Sequence, residues 1–232
     1  MSALNGRVIL ITGAGTGLGR ELALQLAEKG AKLILCGRRK SKLSELQEEL
    51  EAYNENILAL PADVSQEQDV KSLVRESVSR FGRIDMLINN AAVFANTSVA
   101  ESSLEEWNYQ IGINLTGTFL MSREVIPQMR KQKSGQIINF TSGLAKTGAD
   151  GFGAYSASKA AIETLTYSIE EEEQRNGISA LVINPGIMKT NMQSTGVDPA
   201  VVAAQLVSFL EKPFSSSSKV LQLEDLSVQY QS

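Results

Sequence analysis

A tyrosine and a lysine four residues apart are the most chemically explicit pair in the chain, in Tyr155-Ser156-Ala157-Ser158-Lys159. Residues at that spacing share one face of a helix. A phenol titrates at about 10 and is a poor proton donor at neutral pH. An ammonium close by favours the phenolate and draws that value down, which turns a tyrosine into an acid/base catalyst. The spacing alone is weak, because surface helices contain it by chance. Thirteen residues upstream, however, Thr141-Ser142 closes an apolar run and brings a further hydroxyl to the same region.

A second group of residues is suited to binding. Thr12-Gly13-Ala14-Gly15-Thr16-Gly17-Leu18-Gly19 follows the apolar run Val8–Ile11 and precedes a helical pattern. Glycines permit a tight turn and let backbone N–H groups approach a pyrophosphate, whose charge a helix N-terminus favours. The G-x-G-x-x-G spacing is not met, since Leu18 stands where its third glycine would be; Gly13, Gly17 and Gly19 set the spacing instead. Glycines that merely let a helix pack on a strand would look similar. Further on, the second apolar run ends in Cys36-Gly37-Arg38-Arg39. An acid there grips ribose hydroxyls, whereas an arginine accepts a 2′-phosphate. Arg38 and Arg39 therefore favour NADP(H) over NAD(H), although a solvated basic helix start, with Lys40 and Lys42, fits them too. Cys36 reads as a small buried strand residue.

The elements that must position these groups are legible as a pattern. Apolar runs recur at Val8–Ile11, Leu33–Cys36, Ile57–Leu60, Ile84–Ile88, Ile137–Phe140, Leu181–Ile183 and Val220–Leu223. They are short and not strictly alternating, as strands buried on both faces are. Helical spacing fills the gaps, as in Val70, Leu73, Val74, Val78 and Phe81 behind an expected capping box of Ser65 and Gln68. Another helix is expected to start at Ser102 or Ser103, another to end at Gly177, and a last one to open at Asp198-Pro199. Glu170–Glu173 reads as a solvated helix face. Strand and helix alternating seven times predict a parallel seven-stranded sheet flanked by helices. No composition shift marks a linker, and Ser215–Ser218 is too brief for one. Residues 1–232 are thus expected to form a single doubly wound α/β domain of Rossmann type.

Composition removes several alternatives. The 232 residues include no histidine, which excludes Ser-His and Cys-His triads and the usual His-ligated zinc sites. One cysteine cannot form an intramolecular disulfide. A net charge of −4 implies no basic face for nucleic acid, and no apolar run is long enough for a bilayer. With a strand-like segment close to Met1 and no signal peptide before it, the expected location is cytoplasmic.

Taken together, these residues resemble the short-chain dehydrogenase/reductase family, over the chain to Thr190 and more weakly beyond it. The family's T-G-x-x-x-G-x-G turn corresponds to Thr12 to Gly19, and its aspartate near the adenine to Asp63, followed by Val64. Its N-N-A-G corresponds to Asn89-Asn90-Ala91-Ala92, its helical asparagine to Asn114, and its catalytic set to Ser142, Tyr155 and Lys159. Its P-G turn and later threonine correspond to Pro185-Gly186-Ile187 and Thr190. Two departures stand out. Ala92 replaces a glycine, and the segment after Thr190 is short and reaches Leu223-Glu224-Asp225 without terminal glycines.

The resemblance implies a role for each group. Tyr155 exchanges a proton with the carbonyl or alcohol oxygen, Ser142 hydrogen-bonds that oxygen, and Lys159 lowers the Tyr155 pKa and binds nicotinamide-ribose hydroxyls. The Asn114 carbonyl holds a water linking Lys159 to solvent. The dinucleotide lies along Gly13, Thr16, Gly17, Leu18, Gly19, Arg38, Arg39, Asp63, Val64, Asn90, Ala91, Pro185, Gly186, Ile187 and Thr190. Phe94, Leu144, Phe152 and Met188 lie above the nicotinamide, where they form an apolar substrate pocket or ordinary loop packing. The expected activity is NADP(H)-dependent reduction of a ketone or aldehyde, without metal. An NAD(H)-dependent alcohol dehydrogenase and a catalytically silent dinucleotide sensor are the alternatives. In relatives the helices carrying Asn114 and Tyr155 join subunits, so a homodimer or homotetramer is expected.

Overall fold

The computed structural model describes residues 2–189, 195–212 and 220–223. The described residues form one seven-stranded sheet: β1 (Val8–Thr12), β2 (Lys32–Gly37), β3 (Ile57–Pro61), β4 (Met86–Asn89), β5 (Gly135–Phe140), β6 (Ile178–Asn184) and β7 (Leu221–Gln222). Every ladder is parallel, and the order is β3-β2-β1-β4-β5-β6-β7. The helices are α1 (Gly17–Glu28), α2 (Lys40–Glu49), α3 (Glu67–Phe81), α4 (Leu104–Ile111), α5 (Gly117–Gln132), α6 (Leu144–Thr147), α7 (Gly153–Glu173) and α8 (Pro199–Leu210).

Alternate residues of each strand feed two different cores, because successive side chains leave opposite faces of a sheet. Ile9, Ile11, Leu33 and Leu35 pack with Leu22 and Leu26 of α1 and with Leu206 and Val207 of α8. Val8, Leu10, Ile34 and Leu87 pack with Leu73 of α3 and with Met121, Val125 and Met129 of α5. Burial on both faces explains why the strands read as unbroken apolar runs. It also isolates Cys36 within a strand, where burial pushes its thiol up to about 12.

The order of strands reverses between β1 and β4, with β2 and β3 on one side of β1 and β4 to β7 on the other. In open α/β sheets the crevice outside the strand carboxyl ends at such a reversal is where ligands bind. Here that crevice is bordered by the glycine turn after β1 and by Asn89-Asn90-Ala91 after β4.

The local signals divide. Ser103 and Glu106 form the reciprocal capping box at α4, and the Asp198 side chain caps α8 with Pro199 in its first turn. Gly177 takes the left-handed conformation (φ +74°) after a short 3-10 turn that closes α7. The Ser65–Gln68 box does not form: the N–H and hydroxyl of Ser65 both donate to Asp63 Oδ1, and α3 starts at Glu67. Nor is Glu170–Glu173 wholly solvated. Glu173 is buried in an ion pair with Arg130, and Glu170 accepts the Ala180 N–H at 2.5 Å. Among the described residues no helix is long and apolar enough to cross a membrane.

Candidate active site

The glycine turn is held from across the crevice. Thr12 Oγ1 accepts the N–H groups of Asn90 and Ala91, each at 3.0 Å, while Asn90 Nδ2 donates to the carbonyls of Thr12 (3.0 Å) and Gly13 (3.2 Å). Gly13 adopts φ +66°, and a Cβ on it would come within 2.9 Å of the Ala91 backbone. A Cβ on Gly19 would collide with Asn90 Nδ2 and the Gly13 carbonyl, so Gly19 serves close packing of α1 on the turn. Thr16 precedes α1 without capping it through its side chain, so the first N–H groups of that helix lack the usual side-chain acceptor. Ala92 stands where the family has glycine without needing a left-handed backbone: among the described residues only Lys133 has positive φ outside glycine.

From this turn a cleft of about 970 Å³ runs along the strand ends. Gly13, Thr16, Gly17 and Leu18 line one part of it, Arg38, Arg39, Asp63 and Val64 its outer end, and Asn90, Ala91, Tyr155, Lys159, Pro185 and Met188 its inner end. Gly15, Lys42 and Val93 line it too, although none of them is among the expected dinucleotide contacts.

At the inner end Tyr155 occupies the first turn of α7, and Ser142 follows β5. The Ser142 hydroxyl lies beside the phenol and acts on its ionisation. Burial pushes the Tyr155 phenol above its usual value, and the Ser142 hydroxyl pulls the other way without cancelling that rise. The expected lowering of the phenol by Lys159 is therefore not a property of the chain alone. Lys159 is 5% exposed, its Nζ donates to the Phe140 carbonyl at 2.9 Å, and it stands 5.6 Å from the Tyr155 ring centroid. Burial lowers the ammonium to about 8.

Asn114 lies in a π-helical turn, Gly112–Thr116, between α4 and α5. Fully buried, its amide pairs with the backbone of Val93 in both directions at 2.8 Å and donates to Ser158 Oγ at 3.2 Å. Its carbonyl accepts the Thr118 hydroxyl at 2.7 Å. A carbonyl oxygen has a second lone pair for a further donor. π-Turns inside helices recur at functional sites.

Of the expected substrate residues, Phe94 and Phe152 stack at 5.3 Å, and each meets the Tyr155 ring edge-on at 6.3 Å. Leu144 opens the short α6 and donates its N–H to Ser142 Oγ at 3.3 Å. Of these four only Met188 lines the cleft itself. Gly186 (φ +76°) turns the chain after β6, its N–H bound to Asn184 Oδ1, and Ile187 is 68% exposed; neither lines the cleft. Thr190 lies outside the described residues.

At the outer end Arg38 donates to the Tyr109 hydroxyl at 2.8 Å and lies 4.0 Å from Asp63 Oδ2. Arg39 donates to Thr16 Oγ1 at 3.3 Å. Tyr109 was missed because its contact partner is 71 residues away and no local spacing signals it.

Comparison with known proteins agrees with this arrangement. Residues 7–199 match the model of the short chain dehydrogenase family. An uncharacterised oxidoreductase of Staphylococcus aureus (strain MRSA252) is 32% identical over 84% of each chain, and one of Staphylococcus saprophyticus is 31% identical over 92% of this chain and 94% of its own. Among solved structures, the 3-ketoacyl-(acyl-carrier-protein) reductase of Brucella melitensis, complexed with NADH, superposes with a TM-score of 0.86 at 26% identity, covering 94% of this chain and 97% of its own. Levodione reductase superposes with a TM-score of 0.87 at 29% identity, covering 94% and 96%. A parallel sheet reversing at a glycine turn, with tyrosine, serine and lysine gathered at its strand ends, thus accompanies clear sequence kinship: the chain is an oxidoreductase of the short-chain dehydrogenase family.

Proposed function

We propose that this oxidoreductase is NADP(H)-dependent and reduces a ketone or aldehyde, with Tyr155 as its general acid. The observation that carries the reading is Tyr155 beside a buried Lys159, with Ser142 next to the phenol, at the inner end of a cleft whose outer end presents Arg38 and Arg39. The residues fit a dinucleotide: the cleft has the volume of a cofactor site, and Gly13 and Gly17 hold positive φ where backbone must pass close to a ligand. Gly37 places no carboxylate at the end of β2 to repel a 2′-phosphate, and the Asp63 carboxylate lies 4.0 Å from Arg38 Nη1. The glycine turn and the start of α1 would hold the pyrophosphate, Arg38 and Arg39 the 2′-phosphate, and Tyr155 and Lys159 the nicotinamide ribose.

A bound nicotinamide supplies the hydride. The chain supplies the proton and the geometry. Ser142 donates a hydrogen bond to the substrate oxygen and keeps it against Tyr155. Tyr155 gives its phenolic proton to that oxygen in reduction and takes it back in oxidation. The Lys159 ammonium, anchored by the Phe140 carbonyl, stabilises the phenolate left behind. The Asn114 carbonyl offers a place for a water through which the proton is replenished. Burial of Tyr155 keeps the phenol protonated until a substrate oxygen accepts from it.

The same reading includes a cytoplasmic protein and a homodimer or homotetramer. Supporting the latter, Leu104 and Trp107 of α4 and Phe119 of α5 stand exposed on the helices that flank Asn114. Light scattering at micromolar concentration tests this, and a monomeric mass would refute it. The activity is tested by following NADPH and NADH oxidation across a panel of ketones and aldehydes. Turnover with NADPH preferred supports the reading; nucleotide binding without turnover on any carbonyl points instead to a sensor.

A further inference from the structure

Arg38 extends from the end of β2 and Tyr109 from the last turn of α4, and the two meet at the outer end of the cleft. Arg38 Nη2 donates to the Tyr109 hydroxyl at 2.8 Å, and the guanidinium carbon stands 5.4 Å from the ring centroid, within cation–π range. On its other side, Nη1 lies 4.0 Å from Asp63 Oδ2. Asp63 is itself fixed, since its Oδ1 accepts both the N–H and the hydroxyl of Ser65. The guanidinium is thus set between two anchors that come from different crossovers of the fold. Among the described residues Nη2–Tyr109 is the one hydrogen bond of this side chain, so most of the five donors of a guanidinium that lines the cleft remain for an anion.

An exposed arginine must give up rotamer freedom when it grips a phosphate, and prior fixation in the gripping geometry removes that cost. We propose that Tyr109 is a positioning residue for cofactor choice: it holds Arg38 in place for the 2′-phosphate, and so sets how strongly NADPH is preferred over NADH. The inference rests on the NADP(H) reading above. Arg39 has no comparable second anchor among the described residues, only the 3.3 Å contact with Thr16. Of the two arginines, Arg38 is therefore the one whose selectivity depends on a residue outside the nucleotide-binding turns.

Tyr109→Ala and Tyr109→Phe, assayed with both cofactors in the full chain, test the role. For Tyr109→Ala the KM for NADPH should rise about three- to tenfold, the equivalent of one lost hydrogen bond, with kcat nearly constant and the NADH constants moving less. Tyr109→Phe keeps the ring over the guanidinium and should fall between the parent and the alanine variant. An unchanged NADPH/NADH ratio in Tyr109→Ala would overturn the proposal. So would an equal loss with both cofactors, which means a structural role, or tighter NADPH binding, which means that Tyr109 draws Arg38 away. Arg38→Asp separates the two levels. If the parent shows no NADPH preference and Arg38→Asp changes nothing, the cofactor reading itself has failed. If Arg38→Asp abolishes a preference that Tyr109→Ala preserves, only the role of Tyr109 has failed.

Discussion

The two ends of the cleft are built on different physical terms. At the inner end Asn114 is fully buried and Lys159 is 5% exposed, and the polar groups of each have backbone partners within 3 Å. At the outer end the Arg38 side chain is 44% exposed, and its partners are the tip of one other side chain and a carboxylate 4.0 Å away. A buried group anchored by hydrogen bonds acts in low dielectric, where its charge and position weigh heavily and its loss disturbs the fold. An exposed guanidinium is screened by water and contributes little to stability. Under the proposed function the inner end therefore decides whether there is a reaction, and the outer end can select a cofactor without endangering the framework.

Four substitutions sharpen or break that contrast. The largest effect belongs to Tyr155→Phe, which removes one oxygen and should lower kcat by about 10²–10⁴-fold. Its nucleotide Kd by fluorescence titration should stay close to that of the parent. Retained turnover would mean that the proton comes from elsewhere.

Lys159→Met comes next and reads the inner end through stability. The folded chain holds this ammonium at about 8, below its ordinary 10.5. Between those values the unfolded chain keeps a proton that the folded one has released, so the lysine's contribution to stability rises with pH across the window. At lower pH both states are protonated, and the fold bears the full cost of the buried charge. Denaturant titrations should therefore show the parent gaining on Lys159→Met from pH 8 to 10.5, by about 3 kcal/mol at most. A difference independent of pH would place the ammonium in water.

The outer end should respond in selectivity and hardly in melting temperature. Arg38→Asp should cut the NADPH/NADH ratio of kcat/KM by about ten- to hundredfold, the value of one charge-assisted hydrogen bond. Arg39→Ala should have the smallest effect, about two- to threefold in the same ratio, as for an exposed charge with one long contact. If Arg39→Ala matched Arg38→Asp, the two arginines would share the phosphate and the asymmetry between them would disappear.

What could be read from the sequence depended on how local the determining contact was. The strands were visible because both their faces are buried, so Val8–Ile11 and Leu33–Cys36 are apolar throughout. Tyr155 and Lys159 were visible because one helix turn joins them, and the Ser103–Glu106 cap because three residues do. The Ser65–Gln68 box failed for an equally local reason: Asp63 competed for the serine, and its carboxylate is the stronger acceptor. Contacts between distant segments left no trace. Arg130 neutralises Glu173 from another helix, and Tyr109 reaches Arg38 from another crossover. The direction of the Tyr155 shift was hidden too, because spacing reveals the lysine next door but not the depth at which both are buried.

The bonds between Asn90 and the first turn bear on how the molecule comes into being. The glycine turn, Arg38 and Arg39 all lie within the first 39 residues, yet the turn is fastened by an asparagine and two backbone N–H groups 77 to 79 positions from the residues they hold. During synthesis those positions emerge only after four strands and three helices have been made. A nascent or truncated chain ending before β4 would carry nearly every residue that grips the adenosine half, but with its first loop unfastened. If the turn holds a nucleotide, its site is complete only once β4 has joined β1, so binding would follow the pairing of the central strand rather than precede it.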